Sequence, residues 1–328
     1  MSDASAPLAT LLLVTYNQEN FVREAIAGAL AQTYSPLEII ISDDASSDAT
    51  FDVIEKAVAD YRGPHYIILN RNLQNLGIGA HYNLLTKKSS GQLIFVFAGD
   101  DVSLPQRCET VMKAWLSSGK SVDLIASDLL DMDPMGHVHE AISPSDLGIY
   151  KSAADWLAQP PYIVGAAHAW SRRLIERFDP LPKGVVAEDL IMTFRAIISG
   201  GALTLRKPLV KYRRGGVSGR QRTLQAADVI KRLLKNNRST LVEIPQIVAD
   251  SHVAGQERIV AAHFEKKLAR EFFIRDIFAA RGRAEKTRLL FSTRRLPWFL
   301  RLRIYTYAAW PVVLAPLFFL KRLLSSKS

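Results

Sequence analysis

Residues 37–50 read LEIIISDDASSDAT. An apolar, β-branched run breaks into a turn carrying three aspartates, and FDVIEKAVADY (51–61) then resumes at helical spacing. A strand apolar on both faces, closed by a polar turn and followed by a helix, belongs in a parallel sheet covered on both sides. The pattern extends outward. LATLLLVTY (8–16) is a strand ending in Asn17-Gln18, NFVREAIAGALAQ (20–32) a helix, HYIILN (65–70) and QLIFVF (92–97) further strands, with a helix over about 79–88. TYNQ, SDDASSD and AGDD each follow a strand, and ligands of open α/β sheets bind outside the carboxyl ends of the strands.

GQLIFVFAGDDVSL (91–104) poses a sharper question, because Asp100 and Asp101 lie side by side at the mouth of an apolar strand. Two like charges there repel each other and are costly to desolvate, so a divalent cation or a cationic partner is expected. Asp48 or Ser47 suffices to cap the helix starting near Thr50, which leaves Asp43 and Asp44 without a capping role. Glu188-Asp189 precede another helical run, where a dipole-complementing role competes with a chemical one.

The formal charge of +10 is unevenly spread: residues 1–200 hold 15 Lys+Arg against 24 Asp+Glu, and residues 201–328 hold 27 against 8. An acidic half is a poor nucleic-acid surface, so no nucleic-acid partner is expected. One cysteine, Cys108, permits no intramolecular disulfide, and MSDASAPLAT lacks a basic leader, so a cytoplasmic chain is expected. Between 105 and 200 the pattern is mixed, with a helix at PQRCETVMKAWLSSG, a strand at VDLIASDLL, a Pro- and Gly-rich loop around 133–148, and a helix at AEDLIMTFRAIISGG. ALTLRKPLVKYRRGG reads as strand and loop, and 223–290 as mostly helical. His137 and His139 read as solvated loop residues. The tail carries Arg294, Arg295, Arg301 and Arg303 before an uncharged run, Ile304 to Leu320, interrupted by Pro311 and Pro316. It is read as an amphipathic segment dipping into one leaflet beside anionic head groups; a buried C-terminal helix and a true span are the alternatives.

TYNQENFVREAIAGALAQTYSPLEIIISDDASSDAT, NRNLQNLGIGAHYN, GQLIFVFAGDD and AEDLIMTFR together resemble the inverting family 2 glycosyltransferases of the GT-A fold, over roughly residues 8–215. The resemblance implies a Rossmann-like, mostly parallel sheet over 1–215. A helical region (216–293) and a basic, aromatic membrane-associating segment (294–328) would follow. It implies transfer of one sugar from a nucleotide-sugar donor to an acceptor hydroxyl. It places Thr15, Asn17, Asp43, Asp44 and Arg71 at the nucleotide, Asp100 near the donor ribose or sugar, Asp101 on Mg²⁺ or Mn²⁺, and Asp189 as general base with Glu188 as second candidate. Ala98 stands where the commonest family form has another Asp, and Gly215 near where a His often stands. Arg213, Arg214, Arg220 and Arg222 are candidate phosphate ligands, and His168 and Trp170 either wall the acceptor or pack. The basic tail suggests a lipid-linked glycan acceptor, as in surface-polysaccharide assembly, at the cytoplasmic face of the inner membrane, with oligomers possible. A catalytically inactive scaffold and a sugar nucleotidyltransferase are the rival readings; the latter's Gly- and Arg-rich phosphate loop is missing from TYNQEN.

Overall fold

The computed structural model describes residues 6–215 and 226–310. The first hundred residues alternate as expected: β1 (Ala9–Thr15), α1 (Val22–Leu30), β2 (Leu37–Asp43), α2 (Thr50–Val58), β3 (Tyr66–Arg71), α3 (Ile78–Lys88) and β4 (Leu93–Ala98). Strands β5 (Val102–Ser103), β6 (Leu124–Met132), β7 (Val138–Ile142), β8 (Ala169–Ser171) and β9 (Ala202–Arg213) complete a nine-stranded sheet. Its order is β3-β2-β1-β4-β8-β6-β9-β5, with β7 on β6. β3, β2, β1 and β4 run parallel, as do β6 and β9, while β8 is antiparallel to both β4 and β6.

Every residue of β1 and of β2 is buried, which explains why their sequences do not alternate. Leu11, Leu13, Ile39, Ile41, Phe95 and Phe97 supply one face of the main core, against Val22 and Ile26 of α1 and Val111, Met112 and Trp115 of α4 (Arg107–Ser117).

The region expected to be loop, 133–148, contains β7 instead. Asp133 makes the turn: its carboxylate accepts the N–H groups of Met135 and His137, and the hairpin returns along β6. The sequence hides this strand because β7 is largely exposed and lacks an apolar face. β9 runs unbroken through Pro208, which has no N–H to give, and the β6–β9 register shifts beside it.

Two compact units divide the chain, one of Met1–Gly219 with Ala249–Glu257 and the other of Arg220–Val248 with Arg258–Ser328. The first therefore includes a returning piece, the C-terminal end of α8 (Ala226–Ser251) and the turn after it. Asp250, 4 % exposed, takes two hydrogen bonds from the buried Arg195 of α7 (Glu188–Ile198), at 2.7 and 3.1 Å, and Gln256 accepts the N–H of Ala153 at the start of α5 (Ala153–Ala158). In the second unit α9 (Glu257–Ala279), α10 (Arg283–Ser292) and α11 (Trp298–Ala309) gather around Phe273, Ile274, Ile277, Leu296 and Ile304. Ile304, read from sequence as the start of a membrane-facing run, is buried in that core; residues 311–320 of the run lie outside the described residues.

Candidate active site

Strand register places Thr15, Asp43 and Arg71 in one row across the carboxyl ends of β1, β2 and β3. The loops after β1 and β2 are laced together. Asn17, held at φ 52°, accepts the N–H of Ser47 and donates its own N–H to Ser46 Oγ, while Gln18 N–H donates to Thr50 Oγ1. Left-handed backbone is tolerated by Asn better than by most residues. Asp43, fully buried, accepts Ser46 N–H, the Ser46 hydroxyl and Thr15 Oγ1–H, with Arg71 Nε 3.8 Å away over the Phe51 ring.

Asp44 spends its oxygens differently. It accepts Asn72 Nδ2–H at 2.8 Å and the N–H groups of Leu76 and Gly77 at 2.9 Å, fastening the loop that opens α3. Its place is thus beneath the row, as the anchor of a helix. Asp48 accepts the N–H and hydroxyl of Thr50, the first residue of α2, although the N-cap position itself is Ala49, which has no side-chain cap bond.

At the end of β4 the chain passes so close to β1 that a side chain on Gly99 would strike Gln18 and Thr15. A larger residue there would have to displace both side chains, and Gln18 in its present place hydrogen-bonds the Asp100 carboxylate. Asp101, 5 % exposed, accepts the Arg213 N–H at 2.8 Å. The Arg213 guanidinium turns inward, donating to Asp100 O, Pro134 O and Glu24, and lying over Phe21. Arg214 pairs with Asp131. The Arg213 guanidinium is thus buried within the protein, contrary to its reading as a phosphate ligand, whereas Arg214 is largely exposed; Arg220 and Arg222 lie outside the described residues.

Burial, and then the neighbouring Asp100, pushes the Asp101 carboxyl up to about 8, and burial raises Asp100 as well. Arg107 lies beneath them, wholly buried, donating to Ser103 Oγ, Val96 O and His168 O with its face on Phe97. His168 is buried and both ring nitrogens lack a partner, and burial with the Arg107 charge pulls its pKa down to about 3. Trp170 is likewise buried, so both residues pack rather than wall an open cleft. His137 and His139 are exposed on Asp133.

The hard oxygen donors of Asp100 and Asp101 suit Mg²⁺ or Mn²⁺. No group of three or more His, Cys, Asp or Glu side chains among the described residues could hold a metal ion. A cation held there would have to draw its remaining ligands from phosphate oxygens and water.

Glu188 and Asp189 form the first turn of α7. Asp189 accepts Leu190 N–H and packs on Gly165, where a Cβ would come within 2.8 Å of its own. Tyr82 of α3 ties this acidic turn to the strand ends. It is 2 % exposed and edge-on to Trp170 at 5.3 Å; burial raises its pKa most, and Glu188, Asp189 and Asp101 all add to the shift. Charges from two segments distant in sequence thus act on one buried phenol. α3 also carries the loop leading into α7: Asn83 donates Nδ2–H to Leu181 O at 2.8 Å and accepts Leu181 N–H at 3.0 Å. Gly79 leaves room for Val185. Gln18 was legible only as a polar strand end, and nothing in the sequence marks Glu24, Tyr82 or Arg107.

Below pH 6.5 the unfolded chain protonates its histidines while folded His168 stays neutral; burial lowers the pKa values of His65 and His81 as well. Stability from His168 is present above pH 6.5 and lost as pH falls toward 3. His168→Leu is expected to flatten the pH 6-to-4 limb of chemical denaturation by about 1.4 kcal/mol per pH unit. An unchanged limb would show that His168 titrates normally.

Nine strands among the described residues, a parallel half-sheet and acidic residues collected at its carboxyl ends define an open-sheet α/β protein. Residues 10–177 match the model of Glycosyl transferase family 2, and the chain belongs to that family. Among curated relatives it is 30% identical over 141 residues to the putative glycosyltransferase EpsE of Bacillus subtilis, covering 43% of this chain and 50% of that one. It is 31% identical over 120 residues to the putative glycosyltransferase EpsH of the same organism, covering 36% and 33%. The chain thus spans half or less of these relatives' length. Among solved structures, S. aureus TarS superposes with a TM-score of 0.55 at 15% identity over 91% of this chain and 52% of that one. The mannosyltransferase PcManGT from Pyrobaculum calidifontis, in complex with GDP-Man and Mn²⁺, gives 0.52 at 15% over 93% and 87%. These likenesses show the fold, GT-A with C-terminal helices.

Proposed function

We propose that the chain is an inverting, divalent-metal-dependent glycosyltransferase that moves one sugar from a nucleotide sugar to an acceptor hydroxyl. The observation that carries this is the row of Thr15, Asp43 and Arg71 across the carboxyl ends of β1, β2 and β3, with Asp100 and Asp101 following β4 at the same end of the sheet. In this reading Asp43 accepts from the base or ribose, Arg71 faces base or phosphate, and Asp100 lies by the ribose or sugar. Asn17 and Asp44 shape the loops around the nucleotide. A cation on Asp101 would neutralise the charge that builds on the departing diphosphate. Asp189 accepts the proton of the attacking hydroxyl, and attack from the face opposite the diphosphate inverts the anomeric centre. Family membership supports the reaction class, and TarS has been solved in complex with UDP-GlcNAc. For the acceptor, likeness to the Eps glycosyltransferases and the basic C-terminal region support a lipid-linked glycan in surface-polysaccharide assembly, met at the cytoplasmic face of the inner membrane.

The test is a panel of nucleotide sugars incubated with and without Mn²⁺, read by product. Release of nucleoside diphosphate with Mn²⁺ supports transfer. Pyrophosphate release would instead support sugar activation, and absence of any nucleotide binding a scaffold.

Asn83→Asp keeps the acceptor for Leu181 N–H and loses the donor to Leu181 O, loosening the loop that delivers Asp189. It is expected to lower kcat about tenfold or more with donor KM within about twofold. Equal loss in both parameters, or none, would assign Asn83 to packing alone.

A further inference from the structure

We infer that the outer face of α10 and α11 docks on an anionic lipid surface. Helix α11 is apolar on two sides. Ile304 and the preceding Leu296 pack on Phe273, Ile274 and Ile277, joined by Leu300 and Ala308, all four at four-residue steps. On the other side Trp298, Phe299 and Leu302 are exposed beside Phe291 of α10; Phe299 is 84% exposed and Phe291 61%. The Phe291 and Trp298 rings lie 5.5 Å apart. A helix with a second apolar face left in water is ordinarily covered on that face, and an exposed aromatic patch of this kind marks a binding surface.

Charge identifies the cover. Residues 281–310 hold eight Lys+Arg and a single acid, Glu285. Arg281, Arg283, Arg288, Arg294, Arg295 and Arg303 are exposed, and Arg301 stacks on Trp298 at 5.3 Å. A second copy would bring the same positive charge against itself. A nucleic acid would engage the arginines and leave Phe299 and Leu302 in water. An anionic bilayer satisfies both: basic residues near the surface are attracted to its charge, and aromatic rings settle at the head-group level. No described helix is long and apolar enough to cross a membrane, so the contact is one of surface seating. This differs from insertion of the run from Ile304, whose first residue is buried, and it deepens the lipid-linked-acceptor reading on which it rests.

The test is co-sedimentation of the full chain with vesicles of phosphatidylcholine alone or with about 30% phosphatidylglycerol, at ~50 and ~500 mM salt. Binding is expected only to the anionic vesicles and to weaken with salt. The doubles Phe291→Ser/Phe299→Ser and Arg294→Glu/Arg295→Glu should each reduce partitioning at least about tenfold. These side chains are exposed, so melting temperature and nucleotide binding should be unchanged. Equal binding to neutral vesicles, or undiminished binding by both doubles, would overturn the inference, as would self-association abolished by the Phe double without lipid binding. Vesicle binding needs no turnover: a chain that binds anionic vesicles but transfers no sugar would sink the enzymatic reading and leave this one standing.

Discussion

Asp189→Asn is expected to lower turnover by about 10³-fold while leaving the donor dissociation constant within about twofold of the parent value. The amide keeps the acceptor for Leu190 N–H and nearly the same volume against Gly165, so the start of α7 should survive. What disappears is the capacity to take a proton. The residual activity should also lose the acid limb of the pH–rate profile that the carboxylate supplies. Glu188→Gln is the comparison, expected to cost about tenfold or less. If the two exchange magnitudes, the base is Glu188; if neither matters, deprotonation occurs elsewhere and the mechanism falls.

The second large effect pits stability against function at Asp101. Its pKa is raised by burial and by Asp100, so the folded chain keeps a proton that the unfolded chain releases. Such a group costs stability increasingly as pH rises from about 4, through the unfolded value, to about 8, the folded one. Asp101→Asn removes that cost and still accepts Arg213 N–H. The metal-free variant is therefore expected to be stabilised by about 2 kcal/mol or more at pH 8, with the gain vanishing near pH 4. Mn²⁺ should no longer raise its melting temperature or its affinity for nucleotide, and turnover should fall by about 10²-fold or more. Chemical denaturation at pH 8 and 4, with and without Mn²⁺, measures all of this except turnover. A variant less stable at pH 8, or one that keeps its Mn²⁺ response, contradicts the argument.

Much of this could be read from residues alone, for a physical reason. Strands buried on both faces leave continuous apolar runs, so β1, β2 and β4 and the carboxylates closing them stand out from their surroundings. β7 failed the same reading because exposure removes the apolar signal, and its existence depends on a turn made by one side chain, Asp133. Arg107 and Tyr82 escaped for another reason. An arginine opening a helix resembles a solvated one until the fold brings Val96 O and His168 O to meet it. A tyrosine on an amphipathic helix resembles core until the fold brings the charges of Glu188, Asp189 and Asp101 within electrostatic reach of it. Arg213 shows the converse error, since a cationic cluster after a strand suggests phosphate, whereas Glu24, 189 residues earlier, had already claimed its guanidinium.

The Arg195–Asp250 pair bears on how the protein is made. A nascent chain released through residue 219 has the whole sheet but presents a buried guanidinium with no counter-charge, and an uncompensated charge of that kind is strongly destabilising. Synthesis must proceed past residue 250, through most of a helix belonging to the other unit, before the first can close. Birth order and completion order therefore part company, and a truncated clone ending at the last strand would strand its α7 helix half-finished.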